Sequence, residues 1–138
     1  MSDTALAIRI DEHTAIRLLR EVVAEQGATT VYRIPEQHGT CVYVDNGGCS
    51  CLIAHVLDRA GVPMADLEPH NDAVINEVHI EGLEITDPAC AVLGAAQHAQ
   101  DVGEAWGEAE RVGEEVYSAI QRGEDAWAAA EQAAGASR

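Results

Sequence analysis

The chain has 138 residues, which is enough for one domain of ordinary size and too few for two. Hydrophobic residues make up 47% and charged residues 23%, as in a typical globular protein, so the composition argues against disorder. The 24 acidic residues outnumber the 8 basic ones, all arginine, and the formal net charge is −16. This excess of acid argues against binding to nucleic acid, and no apolar run approaches the roughly 18 to 20 residues that a bilayer span requires.

The chain begins with a short apolar patch that lacks the basic start and the cleavage site of a secretory signal. We expect residues 1–10 to be a flexible N-terminus. We also expect the protein to be cytoplasmic, with its cysteines as thiols or metal ligands and not as disulfides. A helix then extends from about Asp11, which can cap its first amides, to Gln26, and Gly27 ends it.

Two runs rich in β-branched and aromatic residues, at 29–34 and 40–44, flank a loop that contains proline and glycine. This pattern predicts an antiparallel hairpin near residues 29–45. A second helix is predicted from Ser50, as its cap, to Ala60. Residues 68–84 fit either helix or strand, and we favour a short helix from Asp72 that runs into a loop.

The sequence Thr86-Asp87-Pro88 is a strong helix start, because proline at the first helical position loses no hydrogen bond. That helix is predicted to end at about Val102. A last helix begins near Glu104, and the Ala-rich tail at 123–138 is either helical or disordered. Together these elements predict a mostly α member of the α+β class with four or five helices and one small antiparallel hairpin. Residues 11–122 form its single globular domain.

The densest group of reactive residues is Cys41, Cys49, Cys51 and His55. Three interpretations are open. The one we favour is that Cys51 and His55 are packing residues of the second helix, since free cysteine is among the most buried residue types. The second is a zinc site with these four residues as ligands. The third is a nucleophilic Cys51 at a helix N-terminus, with His55 or His79 as its base.

The third interpretation has a family resemblance behind it. The Gly-rich turn, the cysteine and the apolar helix over residues 47–62 resemble the active-site helix of papain-like amidases of the NlpC/P60 type. The family's Asp-Cys-Ser-Gly motif is absent from this chain, and Gly48-Cys49-Ser50-Cys51 only imitates it. The resemblance implies a hydrolase with Cys51 as nucleophile and His79 as base.

A second resemblance covers most of residues 11–110. Its most distinctive segments are Ser-Cys-Leu-x-x-His-Val-Leu, which begins at Ser50, and Gln-Asp followed by Trp-Gly-Glu-Ala, which begins at Gln100. Both resemble small uncharacterised proteins of actinobacteria and their phages. The resemblance implies such a source and a shared fold, and it brings no activity, cofactor or functional residue.

On balance the sequence predicts a non-enzymatic accessory or regulatory protein that acts by protein–protein contact and needs no cofactor. Its partner is either an unidentified protein or a further copy of the chain. The cysteine hydrolase is the alternative function. Apolar residues of the C-terminal helices are the predicted contact residues: Trp106, Val116, Ile120 and Trp127.

Overall fold

A computed structural model of the protein describes residues 7–33, 42–45, 48–71 and 73–136. Its elements in chain order are β1 (Ile8–Ile10), α1 (Glu12–Gln26), β2 (Val44–Asp45), β3 (Gly48–Cys49), α2 (Leu52–Ala60), α3 (Met64–Leu67), β4 (Leu83–Ile85), α4 (Asp87–Asp101), α5 (Trp106–Gln121) and α6 (Ala126–Ala136). The predicted class, α+β and mostly α, is confirmed. The described part holds six α-helices, whereas four or five were predicted. None of the helices in these ranges has the length and apolar character needed to cross a bilayer.

Helix α4 lies at the centre of the fold and packs against α1, α2, α5 and α6. Ten of its 15 residues are buried, and five of those ten are alanine. A helix that is apolar on nearly all sides must be surrounded by other elements to remove that surface from water. Two of its buried residues, Gln97 and Gln100, are polar.

The predicted ends of α1 and α4 agree with the structure. Asp11 Oδ1 accepts a hydrogen bond from Thr14 N at 2.8 Å, and Gly27 ends α1 with a φ of 107°. The Thr86 side chain caps α4 by accepting from the Ala89 amide. The predicted cap at Ser50 is wrong, because Cys51 occupies the N-cap position of α2 without a side-chain capping bond.

The N-terminal and C-terminal ends of the predicted domain also differ from expectation. Residues 8–10 are ordered as β1, which pairs in parallel with β4, and Ile10 is completely buried. The prediction that residues 1–10 are flexible is therefore wrong for residues 8–10, because burial of Ile10 fixes the strand. Residues 1–6 lie outside the described ranges. The tail forms α6, which packs against α4 and α5 and buries Ala129.

The hairpin differs in position. Val44 pairs with Cys49 across the antiparallel strands β2 and β3, so the strands meet later in the chain than predicted. Val31 instead forms an isolated bridge to Ala105. The predicted pairing of 29–34 with 40–44 is not found among the described residues, and 34–41 lie outside them. Residues 68–84 contain single turns of 3₁₀-helix at Glu68–His70 and Ile75–Glu77, followed by β4, and no α-helix in their described part.

The start of α5 is fixed by backbone contacts in place of a side-chain cap. The amides of Trp106 and Gly107 donate to the carbonyls of Thr30 and Ala28, each at 2.8 Å. A Cβ atom at Gly107 would lie 2.9 Å from the Cβ of Ala28, which is closer than carbon atoms pack. Glycine is therefore required for this close approach of the two segments.

Candidate functional site

The structure places Cys51 where it cannot serve as a nucleophile. The residue has no accessible surface, and it is disulfide-bonded, so its sulfur is not a thiol. Nucleophilic attack requires an accessible thiolate. The sequence expectation that the cysteines are thiols or metal ligands is wrong for Cys51, since local spacing does not reveal which sulfurs a fold brings together. Because disulfides persist mainly in oxidising compartments, the cysteine argument for a cytoplasmic location no longer holds.

Neither predicted base forms a catalytic pair with Cys51. His55 is partly buried on α2, where its ring lies edge-on to Trp106 with the centroids 5.7 Å apart. Burial lowers the pKa of His55 and keeps the ring neutral at physiological pH. His79 is exposed and lines a surface cavity that does not include Cys51. Packing therefore explains His55, and His79 belongs to a different surface.

The four predicted zinc ligands do not form a site in the described residues. Cys41 lies outside those residues, and the disulfide removes Cys51 as a thiolate ligand. The Cys49 thiol is partly buried, lies 3.7 Å from the carbonyl oxygen of Ala54, and has its pKa raised by desolvation. Within the ranges that the structure describes, no group of three or more His, Cys, Asp or Glu side chains is placed to hold a metal ion.

A buried amide network on α4 was missed by the sequence analysis. Gln97 Oε1 accepts from the amide of Ile75 at 2.8 Å, and its Nε2 donates to the Tyr43 hydroxyl at 2.9 Å. That hydroxyl donates in turn to the carbonyl of Ala73. Gln100 Oε1 accepts from the amide of Leu52 at 2.7 Å and so caps α2 from a different helix. The Gln-x-x-Gln spacing on one helix face was the available signal.

Two adjoining cavities of about 670 and 540 Å³ form one concave surface of the described residues. They share Asn76, Cys90 and Trp127, and we call the combined surface the Trp127 groove. It lies between α4, α6 and the segment 75–87. The groove therefore combines three parts of the chain that are far apart in sequence.

Trp127 is the residue that distinguishes this surface. Its side chain is 42% exposed, although tryptophan is normally well buried. The other predicted contact residues are less accessible: Trp106 and Val116 are buried in the core, and Ile120 is partly buried. In this conformation, Trp127 is the one of the four that a partner can reach over a large area.

Two reactive groups line the groove without forming a catalytic site. The Cys90 thiol is buried, donates to the carbonyl of Ile85 at 3.9 Å, and has its pKa raised by burial and by Asp87. It is therefore protonated at neutral pH and a poor nucleophile. His98 Nε2 is shielded from solvent and has no hydrogen-bond partner in the described part of the structure. Neither group is paired with a base or an acid that would activate it.

Several acidic side chains line the groove, and none of its lining residues in the described part of the chain is an arginine. The acidic lining residues are Glu81, Glu84, Asp87, Asp125 and Glu131. Glu84 has a cationic neighbour in Arg9, with Nε and Oε1 3.6 Å apart. The other four carboxylates form no ion pair within the described residues. The groove therefore presents an exposed aromatic ring together with acidic side chains.

Comparison of the chain with protein-family models, with curated proteins and with solved structures finds no match. The resemblance to proteins of actinobacteria and their phages therefore stays a prediction, as does the resemblance to NlpC/P60 amidases over residues 47–62. The functional assignment rests on the geometry of the described residues, above all on the groove beside Trp127.

Proposed function

We propose that this protein is a non-enzymatic accessory or regulatory factor that binds another protein through the Trp127 groove. The observation that carries the proposal is the 42% exposure of Trp127 at the junction of two cavities. Tryptophan is the residue most enriched among the few that contribute most of the binding energy at protein interfaces. Leaving its apolar surface in water is unfavourable, and a partner that covers it removes that cost.

The groove also has the form that a segment of a partner requires. It is an open concavity between elements that the core holds in place: α4 is buried along most of its length, and α6 is anchored through Ala129. A preformed surface loses little conformational entropy on binding. The hydrolase alternative has no comparable support, because Cys51 is buried and disulfide-bonded.

Site-specific photo-crosslinking in the native cell tests this proposal. A photoreactive amino acid replaces Ala128, an exposed residue that lines the groove, and in a matched protein it replaces Glu68, which is exposed but not among the groove residues. We expect one defined crosslinked species from position 128 and none from position 68. Trp127→Ala in the first protein should abolish that species while the protein still unfolds cooperatively, since Trp127 is 42% exposed and lies outside the buried core.

The proposal is wrong if position 128 yields no defined product, or if both positions yield the same products. It is also wrong if the crosslink from position 128 persists undiminished with Trp127→Ala. A crosslinked species with twice the mass of the chain would identify the partner as a second copy.

A further inference from the structure

We infer that the partner segment that occupies the Trp127 groove is cationic, an extended stretch of a protein that presents arginine or lysine side chains. This inference rests on the proposed function and specifies its partner. Its basis is charge complementarity: four of the acidic side chains that line the groove form no ion pair within the described residues, and Trp127 lines both cavities of the groove.

The distribution of arginine over the surface supports this choice. Six of the seven arginines in the described ranges form ion pairs with acids, and these arginines are Arg9, Arg17, Arg20, Arg59, Arg111 and Arg122. Arg9 alone reaches an acid of the groove, at its Glu84 edge. No arginine in the described ranges forms an ion pair with the other four acids of the groove. Such a surface attracts cations and repels acidic segments, including those of a second copy.

The middle of the groove suits the same ligand. A guanidinium or ammonium group placed over the face of an exposed indole is attracted by the ring quadrupole, and tryptophan is the best ring for this contact. Glu131 and Asp125 line the same cavity as Trp127, so a cation there can contact the ring and the carboxylates together. Asp125 Oδ2 already accepts from the amide of Ala128 and is thereby held in position. The apolar ring and the anchored carboxylate complement the stem and the charged head of an arginine or lysine side chain.

The test is a titration followed by NMR, in which the two indole N–H signals report separately on exposed Trp127 and buried Trp106. The probe is a short capped peptide of alternating arginine and glycine, and the matched probe carries glutamine in place of every arginine. We expect the arginine peptide to shift the Trp127 signal, to leave the Trp106 signal in place, and to bind more weakly as NaCl rises from about 0.1 M to about 1 M. The glutamine peptide should not shift either signal.

Variants of equal charge separate groove binding from attraction to an acidic protein in general. Glu131→Gln should weaken binding of the arginine peptide about two- to five-fold, the usual range for one exposed ion pair. Glu68→Gln makes the same change of charge on a residue that does not line the groove, and it should leave the affinity unchanged. Trp127→Ala should weaken binding by about two-fold or more through loss of the cation–π contact.

Equal losses of affinity for Glu131→Gln and Glu68→Gln would overturn the inference, because binding would then follow net charge alone. Equal binding of the glutamine peptide would overturn it in favour of an apolar occupant. If the arginine peptide does not bind while the crosslink from position 128 persists, the cationic partner is wrong and the proposed function stands. Loss of both would remove the proposed function as well.

Discussion

Two glutamines on α4 form hydrogen bonds to segments that lie far from α4 in the sequence. Gln97 satisfies the amide of Ile75 and the hydroxyl of Tyr43, and burial raises the pKa of that phenol. Gln100 satisfies the first amide of α2, at Leu52, where Cys51 offers no side-chain cap. A buried amide left without a partner costs far more than the bond itself contributes. These two side chains therefore decide where the segments before and after α2 lie.

Replacing Gln100 by alanine should destabilise the protein by about 1–3 kcal/mol, because the amide of Leu52 would be buried without an acceptor. Chemical denaturation followed by circular dichroism measures the change. Gln121→Ala is the matched control: it removes an exposed glutamine at the end of α5 and should change the free energy of unfolding by less than about 0.5 kcal/mol. Equal effects of the two substitutions would show that Gln100 contributes no buried hydrogen bond.

Asp101 gives a pH-dependent prediction. Burial raises its pKa above the usual value, and its position in the last turn of α4 places a negative charge against the helix dipole. Because the folded-state pKa is the higher one, ionisation of Asp101 costs stability above that pKa. This cost disappears as the pH falls below the pKa that Asp101 has in the unfolded chain, which is about 4. Asp101→Asn keeps the oxygen that accepts from Gln100 and removes the charge.

We therefore expect Asp101→Asn to raise the melting temperature at pH 7, with a gain of about 1 kcal/mol or less once solvent screening is allowed for. The melting temperatures of both proteins should converge as the pH falls below about 3, since the carboxyl is then largely protonated in the folded and the unfolded chain. Equal stability of the two proteins at pH 7 would mean that the carboxylate is fully solvated.

At the scale of elements, α6 is the helix on which the groove depends. Ala129 faces α4 and α5 and is buried, whereas the adjacent Ala128 is exposed. Ala129→Asp would place a charge in an apolar contact and should lower the free energy of unfolding by about 2–4 kcal/mol. Ala128→Asp adds the same charge one position away and should have an effect below about 0.5 kcal/mol. Denaturant melts that show equal effects would indicate an independent tail and would remove the groove.

Elements defined by local chemistry could be predicted from the sequence. The capping residues Asp11 and Thr86 and the terminating Gly27 lie within a few residues of the helix that they define, so a linear reading finds them. Pairings across long separations could not be found in this way. Strand β1 meets a partner more than 70 residues away, from Ile8 to Leu83, and its own three residues are too short to show a strand pattern.

The residues of the candidate site likewise fall into those that the sequence could predict and those that it could not. Trp127 could be named from the sequence, because a tryptophan in an Ala-rich tail has little core of its own to join. Its neighbours in the groove, Asn76 and Cys90, could not be named, since only the packing of α6 on α4 places them beside it. Gln97 and Gln100 could not be predicted as buried, because polar residues on a helix usually mark its solvent-exposed face.

For the molecule as a whole, self-repulsion is the dominant electrostatic effect. The formal charge of −16 comes from three acids for every arginine, so repulsive pairs outnumber attractive ones. The described ion pairs lie at the surface, where each contributes about 1 kcal/mol or less. Such pairs cannot offset the repulsion among the acids that remain unpaired. A compact state with this charge is less stable than its packing alone would allow.

Salt should therefore stabilise this protein. Raising NaCl from about 0.01 M to about 1 M shortens the screening length from about 30 Å to about 3 Å, which weakens repulsion across the whole surface. We expect the melting temperature at pH 7 to rise with salt, most steeply at the low end of the range. At pH 4.4, the isoelectric point of the sequence, the net repulsion is absent and the same series should be nearly flat. A melting temperature that falls with salt at pH 7 would mean that the arginine pairs outweigh the repulsion.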